Sequence, residues 1–326
     1  MIWTELHNYL TTRSRYLIVS HANPDGDSIG SQLAMLWYLE SLGKQAVVCN
    51  RDRVPSRFFF LRNSERIVQS LPEGEFDVLV VMDSSNLARL YQDNLEALAP
   101  VVVNIDHHRD NTLFGDCNVV ATSSATGELV YRYFAALGVD FPDYVAEALY
   151  TAILTDTGGF RFSNTDHTIL ALCANLAVRG ARCGDIYEQV YASYSQAALR
   201  LRARIWSTLS FYASGRICTL ELPLGLIDEL GAAPGDAEGM ADQTITAQGV
   251  QVGIFIKHAP GQTHFSLRSR GAFDVGRIAK QVPGGGGHAS AAGCTRNEEV
   301  STALPAMLSL LEKELDDAAQ RVSLPQ

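Results

Sequence analysis

The sequence predicts an α/β protein of two domains: an N-terminal domain with a mainly parallel sheet and a smaller C-terminal α+β domain, with a cleft between them. From residue 17 onward, short β-branched runs alternate with segments whose apolar residues recur at helical spacing, a pattern typical of a doubly wound sheet. Further strand-like runs towards the C-terminus indicate a second sheet. A chain of 326 residues is long enough for both domains.

The N-terminal elements follow in order. YLIVS, AVVCN, DVLVVMD and VVVNID are predicted strands, because β-branched runs of this kind form parallel strands that are covered on both faces. SIGSQLAMLWYLESLG is a predicted helix, with a cap at Ser28 and a stop at Gly43. SSATGELVYRYFAALG and YVAEALYTAIL are also predicted helices. We assign residues 1–185 to this domain.

Residues 186–212 are predicted to be a helical linker, with a helix over RLRARIWSTLSFY. Residues 213–326 are assigned to the C-terminal domain. Its predicted strands are RICTLELPLGL, VQVGIFIKH and THFSLRSR, with a helical piece near GDAEGMADQTI. FDVGRIAKQV and ALPAMLSLLEKELDDAAQ are predicted helices on either side of PGGGGHASAAGC.

Composition excludes several classes of protein. A formal net charge of −10 argues against a protein that tracks long duplex DNA, because such proteins present a basic surface. None of the six cysteines forms a CxxC pair, so we expect reduced, mostly buried thiols rather than a zinc knuckle. No signal peptide and no run long enough for a membrane span are evident, so we expect a cytoplasmic protein without a membrane partner.

Acidic and imidazole side chains recur at the ends of successive apolar runs. The carboxyl ends of parallel strands converge on one crevice, so these side chains are expected to meet there. Taken singly, each has an ordinary explanation as a helix cap or turn residue. The candidates are His21, Asp25, Asp27, Asp83, Asp106, His107, His108 and Asp156.

Clustered carboxylates repel one another, so this group requires cations. Oxygen-rich sites favour Mn²⁺ or Mg²⁺, and imidazole ligands favour Mn²⁺. Four aspartates would balance two dications, and Asp83 is the natural bridging ligand. Two such metals can activate a water and stabilise both oxygens of an in-line displacement at phosphorus.

Five segments resemble motifs of one family. HANPDGDSIGS, VVMDSS, DHHRDN and LTDTGGF resemble motifs I to IV of the DHH phosphoesterase superfamily, and PGGGGHASAAG resembles the signature of the DHHA1 subdomain. The resemblance extends from about residue 17 to residue 294. The arrangement is most similar to the NrnA-like group of bifunctional oligoribonucleases and pAp phosphatases.

The resemblance implies two ligand sets that share Asp83. One metal would be held by His21, Asp25 and Asp83. The other would be held by Asp27, Asp83, His107 and Asp156. It also implies that His108 faces the scissile phosphate as a catalytic residue, and we expect Asp106 to orient a neighbouring ligand.

The glycine run in the C-terminal domain has two readings. By itself it is a flexible loop, since glycine-rich strings are common. The resemblance makes it a substrate clamp, in which exposed N–H groups cradle a phosphate. The implied substrate-binding residues are Arg268, Gly285, Gly286, Gly287 and His288. The favoured interpretation of Arg270 is a solvated residue of the alternate face. A second substrate contact stays open, because alternation along a strand puts Arg270 on the side of Arg268.

The resemblance therefore implies a hydrolase that degrades very short single-stranded RNA to mononucleotides and also dephosphorylates pAp. A cyclic-dinucleotide or pApA phosphodiesterase is the main alternative. An inorganic pyrophosphatase is disfavoured by the glycine signature, and a RecJ-type exonuclease by length and charge. A non-catalytic nucleotide-binding module would not need the complete ligand set. A homodimer is left open.

Overall fold

The N-terminal half of the chain is built on a five-stranded sheet. The computed structural model describes residues 2–71, 73–90 and 95–323. The strands of this sheet are β1 Arg15–Ser20, β2 Gln45–Val48, β3 Val78–Met82, β4 Val102–Asp106 and β5 Cys117–Val120. They lie in the order β2-β1-β3-β4-β5, and all neighbours are parallel. The order reverses between β1 and β3, so a switch point, where ligands bind in sheets of this kind, lies at their carboxyl ends.

Helices pack on one face of this sheet. The helices described in this half are α1 Ile2–Thr11, α2 Gly26–Ser41, α3 Thr126–Leu137, α4 Asp143–Asp156, α5 His167–Val178 and α6 Cys183–Tyr187. Ile18 of β1 lies in the core beneath them, whereas Leu17 and Val19 point to the opposite face. That face is covered by 3-10 turns at Leu87–Leu90 and Leu95–Leu98. The predicted parallel sheet is thus confirmed, but in the described residues the second face lacks the helices of a doubly wound fold.

The C-terminal half contains a six-stranded mixed sheet. Its strands are β6 Ser210–Tyr212, β7 Ile217–Leu222, β8 Val252–Ala259, β9 Gln262–Ser269, β10 Gly286–Gly287 and β11 Ala291–Arg296. They lie in the order β10-β11-β9-β8-β7-β6. Only the β7–β8 pair is parallel among these described strands. The prediction of an α+β C-terminal domain is confirmed.

Helices cover both faces of the mixed sheet. They are α7 Gln196–Trp206, α8 Leu226–Leu230, α9 Met240–Gln243, α10 Val275–Ala279 and α11 Val300–Ser323. Buried residues of α10 and α11 pack with Leu267 of β9 in one core. Buried residues of α7 and α9 pack with Phe255 of β8 in the other. Successive residues of a strand therefore face different helices.

Three local predictions need correction. Helix α2 begins at Gly26, and its N-cap is Asp25, whose side chain accepts a hydrogen bond from the backbone N–H of Ser28; Ser28 itself is not the cap. The helix predicted over RLRARIWSTLSFY ends at Trp206, because its last residues pair with β7 as strand β6. The helix predicted over FDVGRIAKQV is limited to α10.

The chain divides into two compact units, residues 1–193 and 194–326. The division falls inside the segment 186–212; the role of that segment as a linker and the cleft between the domains stay predictions. All six cysteines are free, and five of them are buried. Within the described ranges, no helix combines the length and apolar character needed to cross a membrane.

Candidate metal centre

The predicted ligands converge on the switch point of the parallel sheet. His21 directly follows β1, Asp83 directly follows β3, and His107 directly follows β4. Asp25 and Asp27 lie at the start of α2, which follows β1. Asp156 differs from the rest, because it is the last residue of helix α4 and not the end of a strand. The six ligand positions are therefore brought together by two kinds of element.

The first group consists of His21, Asp25 and Asp83, whose ligand atoms lie within 4.8 Å of one another. His21 Nε2 is 3.4 Å from Asp83 Oδ2 and 3.9 Å from Asp25 Oδ2. His21 Nδ1–H donates to the carbonyl of Ala22 at 2.9 Å, which directs Nε2 towards the carboxylates. Ser28 Oγ lies between them, 2.8 Å from His21 Nε2 and 3.1 Å from Asp83 Oδ2.

The second group consists of Asp27, His107 and Asp156, again within 4.8 Å. His107 Nε2 is 3.5 Å from Asp156 Oδ2 and 3.9 Å from Asp27 Oδ2. Its Nδ1–H donates to the carbonyl of Ser123 at 3.3 Å, so the other nitrogen faces the carboxylates. The imidazole orientation in both groups is that of a metal-ligating histidine whose second nitrogen is held by the backbone.

Asp83 faces both groups. Its Oδ2 lies 3.4 Å from His21 Nε2, while its Oδ1 lies 3.6 Å from His107 Nε2. Asp83 has a φ of +55°, an uncommon conformation for a residue other than glycine, and its side chain is buried. Thr126 Oγ1–H donates to Asp83 Oδ1 at 3.1 Å. The buried carboxylate thus presents one oxygen to each group, and its role as a bridging ligand stays a prediction.

Asp27 is held at the start of α3. Its Oδ2 accepts from Thr126 N–H at 2.6 Å, and its Oδ1 accepts from Gly127 N–H at 2.8 Å. The N-terminus of a 12-residue helix favours a negative charge at this place. A Cβ at Gly127 would lie 2.5 Å from Cβ of Ala152 in α4, so only glycine at this position allows α3 to approach α4 this closely.

His108 is oriented by a chain of buried polar groups. Its Nδ1–H donates to Asp106 Oδ1 at 2.7 Å, and Asp106 Oδ2 accepts from Asn111 Nδ2 at 2.6 Å. The same amide also donates to Asn104 Oδ1 at 2.7 Å. Asn104 in turn donates to the carbonyl of Ser84 at 3.2 Å. These bonds connect the end of β3 to His108.

The carboxylates titrate unequally because they are crowded. Burial raises the pKa of Asp27 well above its usual value, and the nearby charges of Asp83 and Asp156 raise it further. Burial also raises the pKa of Asp156 to about 7, although the His107 imidazole opposes this shift. Burial alone would lower the pKa of His21, but the hydrogen bond to Asp83 and the charges of Asp83 and Asp25 together outweigh burial and raise that pKa to about 9.

Asp83 behaves in the opposite way. Burial disfavours its ionised form, but the hydrogen bond from His21 and the charges of His21 and His107 hold its pKa well below the usual range. Four carboxylates within reach of two imidazoles match the mixed nitrogen and oxygen donor set of divalent metals such as Mn²⁺. The donor chemistry therefore fits a pair of dications that share Asp83.

The predicted substrate-binding residues lie in the C-terminal unit. Arg268 of β9 pairs with Ala291 of β11, and His288 N–H donates to the carbonyl of Ala291 at 2.8 Å. Arg268 and His288 thus both lie next to Ala291. Arg268 Nε–H donates to Asp242 Oδ1 on α9 at 2.6 Å, so part of its guanidinium group is already hydrogen-bonded within the protein.

Arg270 lies beyond the end of β9 and lines a pocket of about 890 Å³ together with Arg277 and other residues of the α10–α11 side. Arg268 and Arg270 therefore contact different helices, which agrees with the interpretation of Arg270 as an alternate-face residue. Whether Arg270 contacts substrate stays open.

Packing accounts for much of the glycine run. A Cβ at Gly285 would overlap the carbonyl oxygen of Ala279, and Gly287 has a φ of +134° with its Cβ position 2.6 Å from Ala291 O. Gly286, like Gly284, has nothing within 4 Å of its Cβ position. Contact with Ala279 of α10 thus requires glycine at position 285, and contact with the backbone of β11 requires glycine at position 287. The role of residues 285–287 as a phosphate clamp stays a prediction.

Sequence reasoning missed several polar residues of the centre. The sequence predicts Ser28 only as a helix cap, and Thr126, Asn104 and Asn111 carry no separate signal. Asn111 belongs to the quoted segment DHHRDN, so its spacing from Asp106 could have suggested a contact. Asn104 alternates with apolar neighbours in VVVNID, where a buried amide is unexpected.

Comparison with known families agrees with this geometry. Residues 15–153 match the DHH family, N-terminal domain, and residues 215–317 match the DHHA1 domain. The chain therefore belongs to the DHH family of phosphoesterases, which are metal-dependent, and the predicted class of enzyme is confirmed.

Several proteins are similar over most of the chain. A bifunctional oligoribonuclease and PAP phosphatase NrnA from Thermus thermophilus is 33% identical, over 92% of this chain and 90% of its own length. The Bacillus subtilis protein of the same name is 24% identical, over 90% and 92%. Cyclic-di-AMP phosphodiesterase PdeA from Listeria monocytogenes is 26% identical over 91% of this chain but 47% of its own length. An exopolyphosphatase-related protein from Bacteroides fragilis superposes with a TM-score of 0.86 at 27% identity, over 97% of this chain and 95% of that one.

Proposed function

We propose that this chain hydrolyses very short single-stranded oligoribonucleotides to mononucleotides and also removes the 3′-phosphate of pAp. The observation that carries the proposal is Asp83, which presents one oxygen to each of the two histidine-containing groups. The Thermus and Bacillus relatives, similar along nearly their whole length, are named for these two activities.

The residues that would hold two divalent ions, Mn²⁺ in this proposal, form two sets that share Asp83. One set is His21, Asp25 and Asp83; the other is Asp27, Asp83, His107 and Asp156. When bound, such ions lower the pKa of a water and neutralise charge on the phosphoryl oxygens. Asp27 and Asp156 must give up their protons for this, since a carboxylate ligand is deprotonated.

His108 would act on the leaving oxygen. Its Nδ1–H is held by Asp106. Burial would lower the pKa of His108, but this bond and the charges of Asp83 and Asp106 together raise it. A histidine held in one orientation by a buried carboxylate can donate a proton from its other nitrogen. In the C-terminal unit, Arg268, His288 and the backbone of residues 285–287 would bind the far phosphate or nucleotide.

A second candidate is a phosphodiesterase for pApA or cyclic dinucleotides. It is favoured by the similarity to the Listeria phosphodiesterase, which extends over most of this chain. We assign the chain to the cytoplasm because its six free cysteines are typical of a reducing compartment. A homodimer remains a prediction.

One substrate panel tests the proposal. Purified protein with Mn²⁺, and with Mg²⁺ in parallel, is assayed on diribonucleotides, longer RNA, pAp, pApA, cyclic dinucleotides and pyrophosphate, with a chelated control. We expect diribonucleotides and pAp to be the best substrates and the chelated protein to be inactive. Asp83→Asn should abolish turnover, whereas Asp185→Asn, which removes an exposed carboxylate of the same unit, should not. The proposal would be contradicted if the protein hydrolysed pyrophosphate rapidly and did not hydrolyse diribonucleotides.

A further inference from the structure

The turn that follows Asp156 carries an exposed aromatic ring. Gly158 and Gly159 have φ values of +59° and +71°, so the chain reverses immediately after the end of α4. The ring of Phe162 lies on Gly158, where a Cβ would be 2.5 Å from Phe162 Cζ. Arg161 Nε–H donates to the carbonyl of Gly158 at 2.7 Å, and its guanidinium lies 5.9 Å from the centre of the Phe162 ring.

Two tyrosines also lie against this turn. A Cβ at Gly159 would lie 3.6 Å from the ring of Tyr191 and 3.8 Å from the ring of Tyr187. The two rings are 5.2 Å apart at an angle of 47°. Tyr191 OH donates to the carbonyl of Leu154 at 3.2 Å, which ties this pair to the end of α4. We call Arg161, Phe162, Tyr187 and Tyr191 the aromatic platform.

The platform is open and next to positive charge. Phe162 is 47% exposed and Tyr187 is 51% exposed. Burial raises the pKa of Tyr191 to about 12, while the charges of Arg161 and Arg57 oppose this shift. Two guanidinium groups thus lie within electrostatic reach of the rings. Asn164 Nδ2–H, a few residues further on, donates to the backbone carbonyl of Asp156 at 3.1 Å.

Single exposed rings are common on protein surfaces and need no function. Here, however, exposed rings and arginines are assembled around a turn that begins one residue after a candidate metal ligand. Proteins that bind single-stranded nucleic acid combine ring faces, on which bases stack, with cations that attract phosphates. No other role in the proposed function uses these side chains.

We propose that the aromatic platform is a nucleobase subsite, in which Phe162 stacks on the base next to the scissile phosphate and Arg161 contacts the adjoining phosphate. This subsite rests on the proposed function and extends it, because the N-terminal unit would then bind a base of the substrate as well as the scissile phosphate. It predicts a preference for substrates that carry a base at this position over those that carry only phosphate and sugar.

The test crosses a protein change with a substrate change. Phe162→Ala, Phe162→Tyr and wild type are assayed on a diribonucleotide and on two analogues, each with one base replaced by hydrogen. Phe162→Ala should lower kcat/KM about 10-fold or more on the intact substrate, mainly through KM, because an aromatic face contributes this much to binding one base. On the analogue that lacks the stacked base, Phe162→Ala and wild type should agree within about 2-fold, and Phe162→Tyr should resemble wild type on all substrates.

Phe211→Ala is the matched control, since Phe211 is a phenylalanine of nearly equal exposure, 49%, in the other unit. It should behave as wild type. Mn²⁺ affinity, measured by calorimetry, should be the same in all variants, which separates base binding from damage to the turn that follows Asp156. The subsite would be overturned if Phe162→Ala lowered kcat/KM equally on all three substrates, or lowered it on none of them.

A binding measurement separates this proposal from the proposed function. The diribonucleotide is titrated calorimetrically into metal-free wild type and Phe162→Ala protein, where no turnover is needed. We expect about 10-fold weaker binding by the variant. Equal affinities would overturn the subsite even if the enzyme is an oligoribonuclease. A wild-type protein that binds the diribonucleotide more tightly than the variant but does not cleave it would overturn the proposed function alone.

Discussion

Asp106 is fully buried at the end of β4, and both of its oxygens accept hydrogen bonds, one from His108 and one from Asn111. Burial would raise the pKa of Asp106, but the hydrogen bond and charge of His108, together with the hydrogen bond from Asn111, outweigh burial and lower it. A carboxylate that stays ionised in such a place can keep the proton of His108 on Nδ1. The residue thus controls the tautomer and the charge of its neighbour without facing either group of ligands.

Asp106→Asn should lower kcat about 10- to 100-fold while leaving Mn²⁺ affinity nearly unchanged, because it removes the charge that orients His108. Asp106 raises the pKa of His108, so its removal should also shift the basic limb of the pH–rate profile to lower pH, if His108 acts as the acid. The measurement is kcat against pH with Mn²⁺ in excess.

Asp110→Asn is the control, since Asp110 is exposed on the same loop. It should leave both kcat and the profile unchanged. A fall in kcat for Asp106→Asn with an unmoved basic limb would show that Asp106 does not act through His108.

At the scale of elements, close helix packing brings the ligands together. A Cβ at Gly30 in α2 would overlap the carbonyl oxygen of Ala148 in α4, and a Cβ at Gly26 would overlap the side chain of Thr155. Glycine within a helix costs roughly 1 kcal/mol relative to alanine. Here it lets the two helices approach so that Asp27 and Asp156 come together at one end. Glycine thus lowers the stability of α2 as a helix but allows the close packing against α4 that the site needs.

Gly30→Ala should therefore lower the free energy of unfolding by about 1–3 kcal/mol, since the added methyl forces α2 away from α4. It should also weaken Mn²⁺ binding, because the start of α2 moves with the helix. Urea unfolding of the metal-free protein and calorimetric Mn²⁺ titration measure the two effects.

Gly184→Ala in α6 is the matched comparison. Nothing lies within 4 Å of its Cβ position and its φ is not positive, so this change should raise the free energy of unfolding by about 0.5–1 kcal/mol. If Gly30→Ala and Gly184→Ala change the free energy of unfolding in the same direction, close packing of α2 against α4 does not explain the glycine at position 30.

At the scale of the whole molecule, protonation and metal binding are linked to folding. In the metal-free protein the pKa of Asp156 is raised to about 7 and that of Asp27 is also raised. A raised folded-state pKa contributes stability at pH values below the unfolded pKa of 3.8, and this contribution is lost as the pH rises through the folded pKa. His21, with a pKa raised from 6.5 to about 9, acts in the same direction at higher pH.

We therefore expect the Tm of the metal-free protein to fall between pH 5 and pH 9. Added Mn²⁺ should raise Tm increasingly towards high pH, because binding requires the protons to leave. At a free Mn²⁺ concentration of about 100 times Kd, binding to one site increases the free energy of unfolding by about 2.7 kcal/mol. Thermal unfolding with Mn²⁺ and with a chelator, across this pH range, measures it. A Tm gain that is the same at every pH would contradict the linkage.

Part of the site could be read from the chain. His21, Asp83 and His107 were predictable because each directly follows a β-branched run, and parallel strands end on one edge of a sheet. The same argument was incomplete for Asp156, which ends a helix; its apolar run is long enough to be either element. Asn104 was not predictable as a functional residue, since its partners are 20 and 7 residues away and only the folded chain brings them to it.

Local composition and spacing determined the alternation of elements, the family motifs and the choice of metal-binding side chains, because these depend on the period of apolar residues and on ligand chemistry. Tertiary structure alone decided which oxygen of Asp83 faces which histidine, that Arg268 and Arg270 contact different helices, and that Phe162 and Tyr187 lie against one turn. Each of these depends on contacts with segments distant in sequence, which are set by the packing of helices and strands rather than by the propensity of any one segment.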